Sequence, residues 1–106
     1  MTAAEVLAIL KSEVGDQWQR GDWPHGVELD RCVLNPPEMH RFVEATSSTE
    51  ELDLWVVLEE DPINRRGYRI VLDPESRQFG LATKGNDGKQ LFLGLYGGFV
   101  ETLESM

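Results

Sequence analysis

The segment from Leu52 to Asp73, LDLWVVLEEDPINRRGYRIVLD, constrains the fold most: two apolar, β-branched-rich runs are joined by a turn-rich connector of mixed charge. In the first run Leu52, Leu54, Val56 and Leu58 alternate with Asp53, Trp55, Val57 and Glu59. In the second, Tyr68, Ile70 and Leu72 alternate with Arg69, Val71 and Asp73. A period of two is that of a strand, so both runs are predicted to pair as an antiparallel hairpin with one wholly apolar face. The opposite face carries Trp55, Val57 and Val71 among charges, which predicts that it is partly covered too. Asp61-Pro62 opens the connector, Asn64 tolerates a left-handed backbone, and Gly67 supplies a positive φ. Glu59, Glu60 and Asp61 face Arg65 and Arg66 across it, and such pairs at a surface contribute little stability.

The rest of the chain extends this hairpin. Thr2-Ala3-Ala4-Glu5 has capping-box spacing, and Val6, Ile9, Leu10 and Val14 follow helical spacing up to Gly15. Residues 3 to 14 are therefore predicted to form an amphipathic helix; its narrow apolar stripe fits packing on the sheet better than docking to a partner. Val27 to Leu34 alternates as a strand, which Asn35-Pro36-Pro37 is expected to break because proline cannot donate to a ladder. Glu38 to Thr46 permits a strand or a short helix. The strand is preferred, paired with the Trp55 run through a polar turn at Ser47 to Glu50. Asp73-Pro74-Glu75-Ser76 predicts a turn, Gln78 to Lys84 a strand, Gly85-Asn86-Asp87-Gly88 a turn, and Gln90 to Tyr96 a strand with Leu91, Leu93 and Leu95 inward. Phe99, Leu103 and Met106 mark a short final helix. The expected fold class is α+β: one domain spanning 1–106, with an antiparallel meander of about four to six strands between an N-terminal amphipathic helix and a short C-terminal helix. Leu54, Val56, Leu58, Ile70, Leu72, Leu81 and Leu93 are its expected core.

Charge narrows the functions. Nineteen acidic against ten basic residues give a net charge of −9, and eleven of the carboxylates lie at or before Asp53 with only four of the cations. Such a surface repels phosphate backbones, and the basic residues are scattered along the chain, so nucleic acid is not an expected partner. The single cysteine, Cys32, excludes an internal disulfide framework. No charged, apolar leader opens the sequence and no apolar run approaches ~20 residues, so a soluble, cytoplasmic protein without a membrane partner is expected.

No residue pattern identifies a catalytic set. His25, Cys32 and His40 lack metal-ligand spacing, so neither a metal nor a cofactor is assigned. Gly97-Gly98 lacks the lysine and hydroxyl of a phosphate loop. The loop from Gly15 to Gly26 gathers Trp18, Asp22, Trp23 and His25 between glycines and a proline. Loops on a rigid scaffold and aromatic anchors are both typical of contact sites, although the two indoles can equally cap the core. With Trp55, Glu59 and Glu60 of the hairpin, these four residues make up the candidate binding set. The half-apolar sheet face bearing Trp55, Val57, Val71 and Phe92 is expected to pack within the fold or to form a homodimer seam, with Gly80 and Gly94 as shallow ground.

The runs Trp55 to Glu60 (WVVLEE), Gly67 to Asp73 (GYRIVLD), Phe79 to Thr83 (FGLAT) and Phe92 to Met106 (FLGLYGGFVETLESM) resemble a family of small, ~100-residue bacterial α+β proteins without assigned activity. The likeness covers the C-terminal half and implies a small bacterial domain, with no functional residue attached. Two functional classes follow. One is a non-catalytic acidic binding or inhibitory protein, similar to the immunity proteins that block basic toxins or to a small regulatory partner, and its protein partner is expected to be basic. The alternative is a small hydrolase or ligand-binding enzyme with a histidine and carboxylate site in the 16–40 region, joined by Glu59 or Glu60.

Overall fold

The computed structural model describes residues 1–106 except Asn86, with the backbone alone at 47–49. Helix α1 spans Ala3–Val14. Thr2 caps it by accepting the Glu5 amide at 3.2 Å, and Gly15, at φ +58, ends it. Val6, Leu10 and Val14 are buried, as their spacing requires. Two short 3-10 turns follow, at Gly15–Gln17 and Pro24–Gly26, and then a single helical turn, α2, at Leu29–Cys32. Five strands come next: β1 (Val33–Glu44), β2 (Ser47–Asp61), β3 (Arg66–Leu72), β4 (Phe79–Lys84) and β5 (Gln90–Gly97). Helix α3 (Phe99–Glu104) closes the order.

The strands form an antiparallel meander, and a short parallel contact between β1 and β5, Val43 to Leu91 and Glu44 to Phe92, closes it into a barrel. Two clusters divide the apolar residues. Phe42, Leu54, Val56, Val71 and Ala82, with Leu34, Leu52 and Phe92, come from all five strands and fill the barrel. Val57, Leu58, Ile70, Leu72, Phe79 and Leu81 lie under the helical layer, packed with Val6, Leu10, Val14, Trp23, Phe99 and Leu103. Phe79 and Phe99 meet edge to face at 5.4 Å.

The single leucine face expected from the alternation is therefore split in two. Between the pairs Val56–Val71 and Leu58–Ile70, strand β2 advances two residues while β3 advances one. Val57 is thus an extra residue, a β-bulge, and every side chain after it changes face. Leu54 and Val56 point into the barrel, whereas Leu58 joins Ile70, Leu72 and Leu81 under the helices. The proposed dimer face is divided in the same way. Val57 and Trp55 pack with the helical layer, Val71 and Phe92 lie in the barrel, and Val57 and Val71 are fully buried. That face is used within the fold.

Strand β5 carries the clearest correction. Leu93 falls between the pairs Ala82–Phe92 and Leu81–Gly94, and Tyr96 between Gly80–Leu95 and Phe79–Gly97, so both are bulged. Leu93 is 41% exposed and Leu95 39% exposed, while Phe92 turns inward instead. A Cβ on Gly80 would collide with the Gly94 carbonyl and press on the Phe92 ring, so Gly80 provides the shallow ground on which Phe92 lies, whereas a Cβ on Gly94 would meet nothing within 4 Å.

Residues 27–34 are not a strand. Leu29 and Cys32, three apart, bury one side of the helical turn instead, and Val33 starts β1. The prolines do not end that strand: β1 runs through a cis Asn35–Pro36 bond, and its ladder with β2 skips from Val33 to Glu38, past the two residues that have no N–H. Glu38–Glu44 is a strand as preferred, but the turn after it lies at Ala45–Thr46, ahead of Ser47. Around the β2–β3 connector the left-handed residues are Arg65, at φ +56, and Gly67, at φ +80 as expected; Asn64 is not one of them, its amide and side chain both being held by the Asp61 carboxylate. Part of the turn expected at 85–88 rests on Asn86, outside the described residues; around it the Gly88 N–H donates to the Gly85 carbonyl at 2.9 Å.

Phe42→Ala should cost about 3–5 kcal/mol, as a large-to-small change inside the barrel. Leu93→Ala should cost under about 1 kcal/mol, as a change at an exposed bulge. Urea titrations of the two variants check this, and equal losses would restore the single leucine face.

Candidate functional site

The bulge at Val57 decides what the consecutive carboxylates of β2 do. Glu59 pairs across the ladder with Arg69 and faces the barrel with it; both are 3% exposed. Glu38 and His40 share the inward face of β1 with Phe42, and Gln90 shares that of β5 with Phe92. These residues build a polar layer across the end of the barrel. The Arg65 Nε–H donates to both Glu59 oxygens, at 2.9 and 3.0 Å, and the same guanidinium reaches Glu38 Oε1 at 3.0 Å. His40 lies 2.9 Å from Glu38 through Nε2 and 2.9 Å from Gln90 Oε1 through Nδ1, and Arg69 donates to the same Gln90 oxygen.

Charge compensation in this layer is tight but incomplete. Arg69 Nε is 3.6 Å from Glu59 Oε2, and among the described residues that N–H has no hydrogen-bond partner. Burial pushes the Arg69 guanidinium down from its ordinary value, opposed by the Glu59 charge. The hydrogen bonds that Arg65 donates to Glu59 and Glu38 hold it well above the usual guanidinium value. His40, then Arg65, hold the Glu38 carboxyl below the carboxylate range.

Glu60 points the other way, to the outside. Beyond Glu59 the register shifts again, now with the extra residue on β3, and the Glu60 carboxylate fills the gap in the ladder by accepting the Tyr68 amide at 2.9 Å. Its other oxygen is 2.7 Å from His25 Nδ1. The Pro24–Gly26 turn delivers that imidazole, with His25 itself at φ +60, and its ring meets Tyr68 edge to face at 6.0 Å. Gly67 completes the arrangement, because any Cβ there would strike the Glu60 carboxylate and its φ is +80. His25, Glu60, Gly67, Tyr68, Thr83 and Leu93 line a cleft of about 420 Å³.

The remaining candidates are dispersed. Trp18 donates its indole N–H to Asp30 at 2.6 Å beside a groove of about 440 Å³ lined by Leu7, Lys11, Trp18, Leu29 and Val33. Trp23 is 3% exposed, under the Arg20 guanidinium at 4.1 Å, so it caps the core and is no surface anchor. Asp22 is exposed and paired with Arg20, which also reaches Glu104 at 3.0 Å. Trp55 is half-buried against the helical-layer core. Glu59, buried, is not available to a partner. The structure thus brings together only His25 and Glu60 of the seven. Tyr68, Arg69 and Gln90 are additions that no sequence signal singled out, while Asp30, Glu38 and His40 lie within the 16–40 region of the alternative reading without having been named as its site. The pairing of Glu59 with Arg69 was foreshadowed only by their shared strand periodicity. Among the described residues no three His, Cys, Asp or Glu side chains gather as a metal site.

Comparison with family models, with curated proteins and with solved structures finds no match to this chain. No helix among the described residues is long and apolar enough to cross a membrane. The geometry of the site therefore stands on its own residues.

Glu59→Ala should destabilise by about 3–5 kcal/mol, since it strands a buried guanidinium, and adding Arg69→Met should recover part of that loss. A double-mutant cycle by urea denaturation checks it; strictly additive losses would separate the two residues. The Asp30 carboxyl is held below its ordinary 3.8, first by the Trp18 N–H and then by Gln19. A depressed folded value gives stability that is present above the unfolded value and lost as pH falls through the folded one. The Trp18 indole N–H resonance should accordingly titrate with a midpoint below 3.8. In Asp30→Asn that transition should vanish.

Proposed function

We propose that this is a non-catalytic binding or inhibitory protein that meets a basic protein partner through its acidic helical layer, as an immunity protein or a small regulatory partner does. The observation that carries the reading is where the charge lies. Residues 1–32 and 98–106 hold Glu5, Glu13, Asp16, Asp22, Glu28, Asp30, Glu101 and Glu104 against only Lys11, Arg20 and Arg31. All eight carboxylates are exposed, and Arg20 is already paired with Asp22 and Glu104. Exposed like charges on one layer steer an oppositely charged partner and speed its association. The contact surface on this reading is the layer that includes Trp18 and Asp22, with Glu59 excluded by burial. A bacterial origin and a cytoplasmic location, in keeping with the free, buried Cys32, belong to the same proposal.

A second reading rests on the His25–Glu60 pair and its cleft. A carboxylate orienting an imidazole at 2.7 Å is the arrangement of a general base, and a small hydrolase could use it. Of the two hydroxyl residues of the cleft, Thr83 already donates to the Gly67 carbonyl at 3.3 Å, so on this reading the base would act on water rather than on a Thr83 nucleophile.

The partner captured by the tagged protein from its host should have a basic isoelectric point, and its association rate should fall steeply between 50 and 300 mM salt. Asp16→Lys with Glu28→Lys should slow association by about tenfold or more with little change in dissociation. Equal association of this variant would overturn the acidic-surface reading. Hydrolysis that disappears in both His25→Ala and Glu60→Gln would put the second reading in its place.

A further inference from the structure

We infer that the end of the barrel beyond the polar layer carries an anion site for a small phosphate-bearing molecule. The hairpin connectors β2–β3 and β4–β5 enclose a cleft of about 470 Å³ lined by Asn64, Arg65, Arg66, Gly67, Lys84, Gly85 and Gly88. Three of these residues are cations and none is an acid, in a chain with nearly twice as many acidic as basic residues. Chain-wide acidity makes that concentration of positive charge a local feature of the fold. It arises because Lys84 ends β4 while Arg65 precedes and Arg66 opens β3, two segments made neighbours by the antiparallel ladder between Tyr68 and Thr83.

The cations are unequal. Arg65 is held by Glu59 and Glu38, which fixes its planar fork at the edge of the cleft. Arg66 and Lys84 are exposed and, among the described residues, form no ion pair within 4.0 Å. The carboxylates around the cleft have partners of their own: Asp61 accepts from Asn64, Asp87 accepts the Lys89 amide at 3.0 Å, and Glu60 accepts the Tyr68 amide and meets His25. The Arg65 fork is spent on Glu59 and Glu38, so the anion falls to the Arg66 guanidinium and Lys84, arginine through its fork and lysine as a point charge. Of the three glycines in the lining, Gly88 leaves its backbone open to close approach, while the Glu60 and Asp87 carboxylates lie against Gly67 and Gly85 and confine an anion to the side of Arg66 and Lys84.

Neighbouring geometry narrows the ligand further. Gly67 lines both this cleft and the His25–Glu60–Tyr68 cleft, and Thr83 of the second adjoins Lys84 of the first. A phosphate on Arg66 and Lys84 therefore leaves the rest of its molecule free to lie over Gly67 towards the Tyr68 ring and Leu93. A long polyanion is disfavoured, since away from this cleft it would meet a protein of net charge −9.

The test is amide NMR titration of the full chain at constant ionic strength with inorganic phosphate, pyrophosphate and adenosine monophosphate, and with sodium chloride as the control. Saturable shifts at Gly67, Gly85 and Gly88 with the phosphates but not chloride are expected, and the monophosphate should also move Tyr68 and Thr83. Arg66→Gln with Lys84→Gln should weaken binding at least tenfold at unchanged melting temperature, while Arg41→Gln on β1 should leave it intact. Linear, non-saturating shifts, or equal binding by the double variant, would overturn the site. Tighter binding of a single-stranded oligonucleotide than of pyrophosphate would overturn the small-molecule assignment.

Discussion

Strand β2 has to serve two cores, and the extra residue at Val57 is what allows it to. Ahead of the bulge, Leu52, Leu54 and Val56 fill the barrel; beyond it, Leu58 turns to the helical layer and Glu59 takes the inward position. Without the bulge a strict period of two would carry Leu58 into the barrel and Glu59 to the outer face. The polar layer would then lose its central carboxylate. Arg69 would be left buried beside Phe42, whose ring centre is 6.0 Å from its guanidinium, without a counter-charge. Both the division of the core and the satisfaction of the buried arginine thus depend on one register shift.

The same shift separates two neighbouring glutamates into different roles. Glu59 is a buried structural anion held by Arg65, while Glu60 is an outward side chain that completes the ladder at Tyr68 and orients His25. Around them the molecule sorts its charge. Exposed carboxylates coat the helical layer, and Arg65, Arg66 and Lys84 ring the cleft between the hairpin connectors. Opposite signs thus lie in separate places, so the proposed basic partner and the proposed small anion would not compete for the same residues.

Much of the fold was legible because it follows from local periodicity. Helix α1 has the bounds set by Thr2 and Gly15, β3 and β4 follow their alternation, and α3 buries Phe99 and Leu103 as their spacing requires. The candidate site was legible only in part. A histidine in the Trp18–Gly26 loop and a carboxylate of the Glu59–Glu60 pair were both suspected, and His25 and Glu60 do meet across 35 positions in the chain. Trp23 gave the same loop signal but lies in the core, since an indole serves an interface and a core edge by the same apolar surface.

By itself, then, the sequence determined the class of the fold, the order and type of most elements, and the acidity of the surface, because each of these depends on neighbours within a turn or a strand. Tertiary structure decided the rest. The barrel closure through Val43 and Glu44, the bulges at Val57, Leu93 and Tyr96, and the meeting of His25 with Glu60 all depend on which strand lies beside which. An extra residue in a ladder is defined only relative to its partner strand, so no pattern along one chain can locate it. The faces that carry chemistry here follow from those shifts, since each one exchanges the side chains that point inward with those that point out.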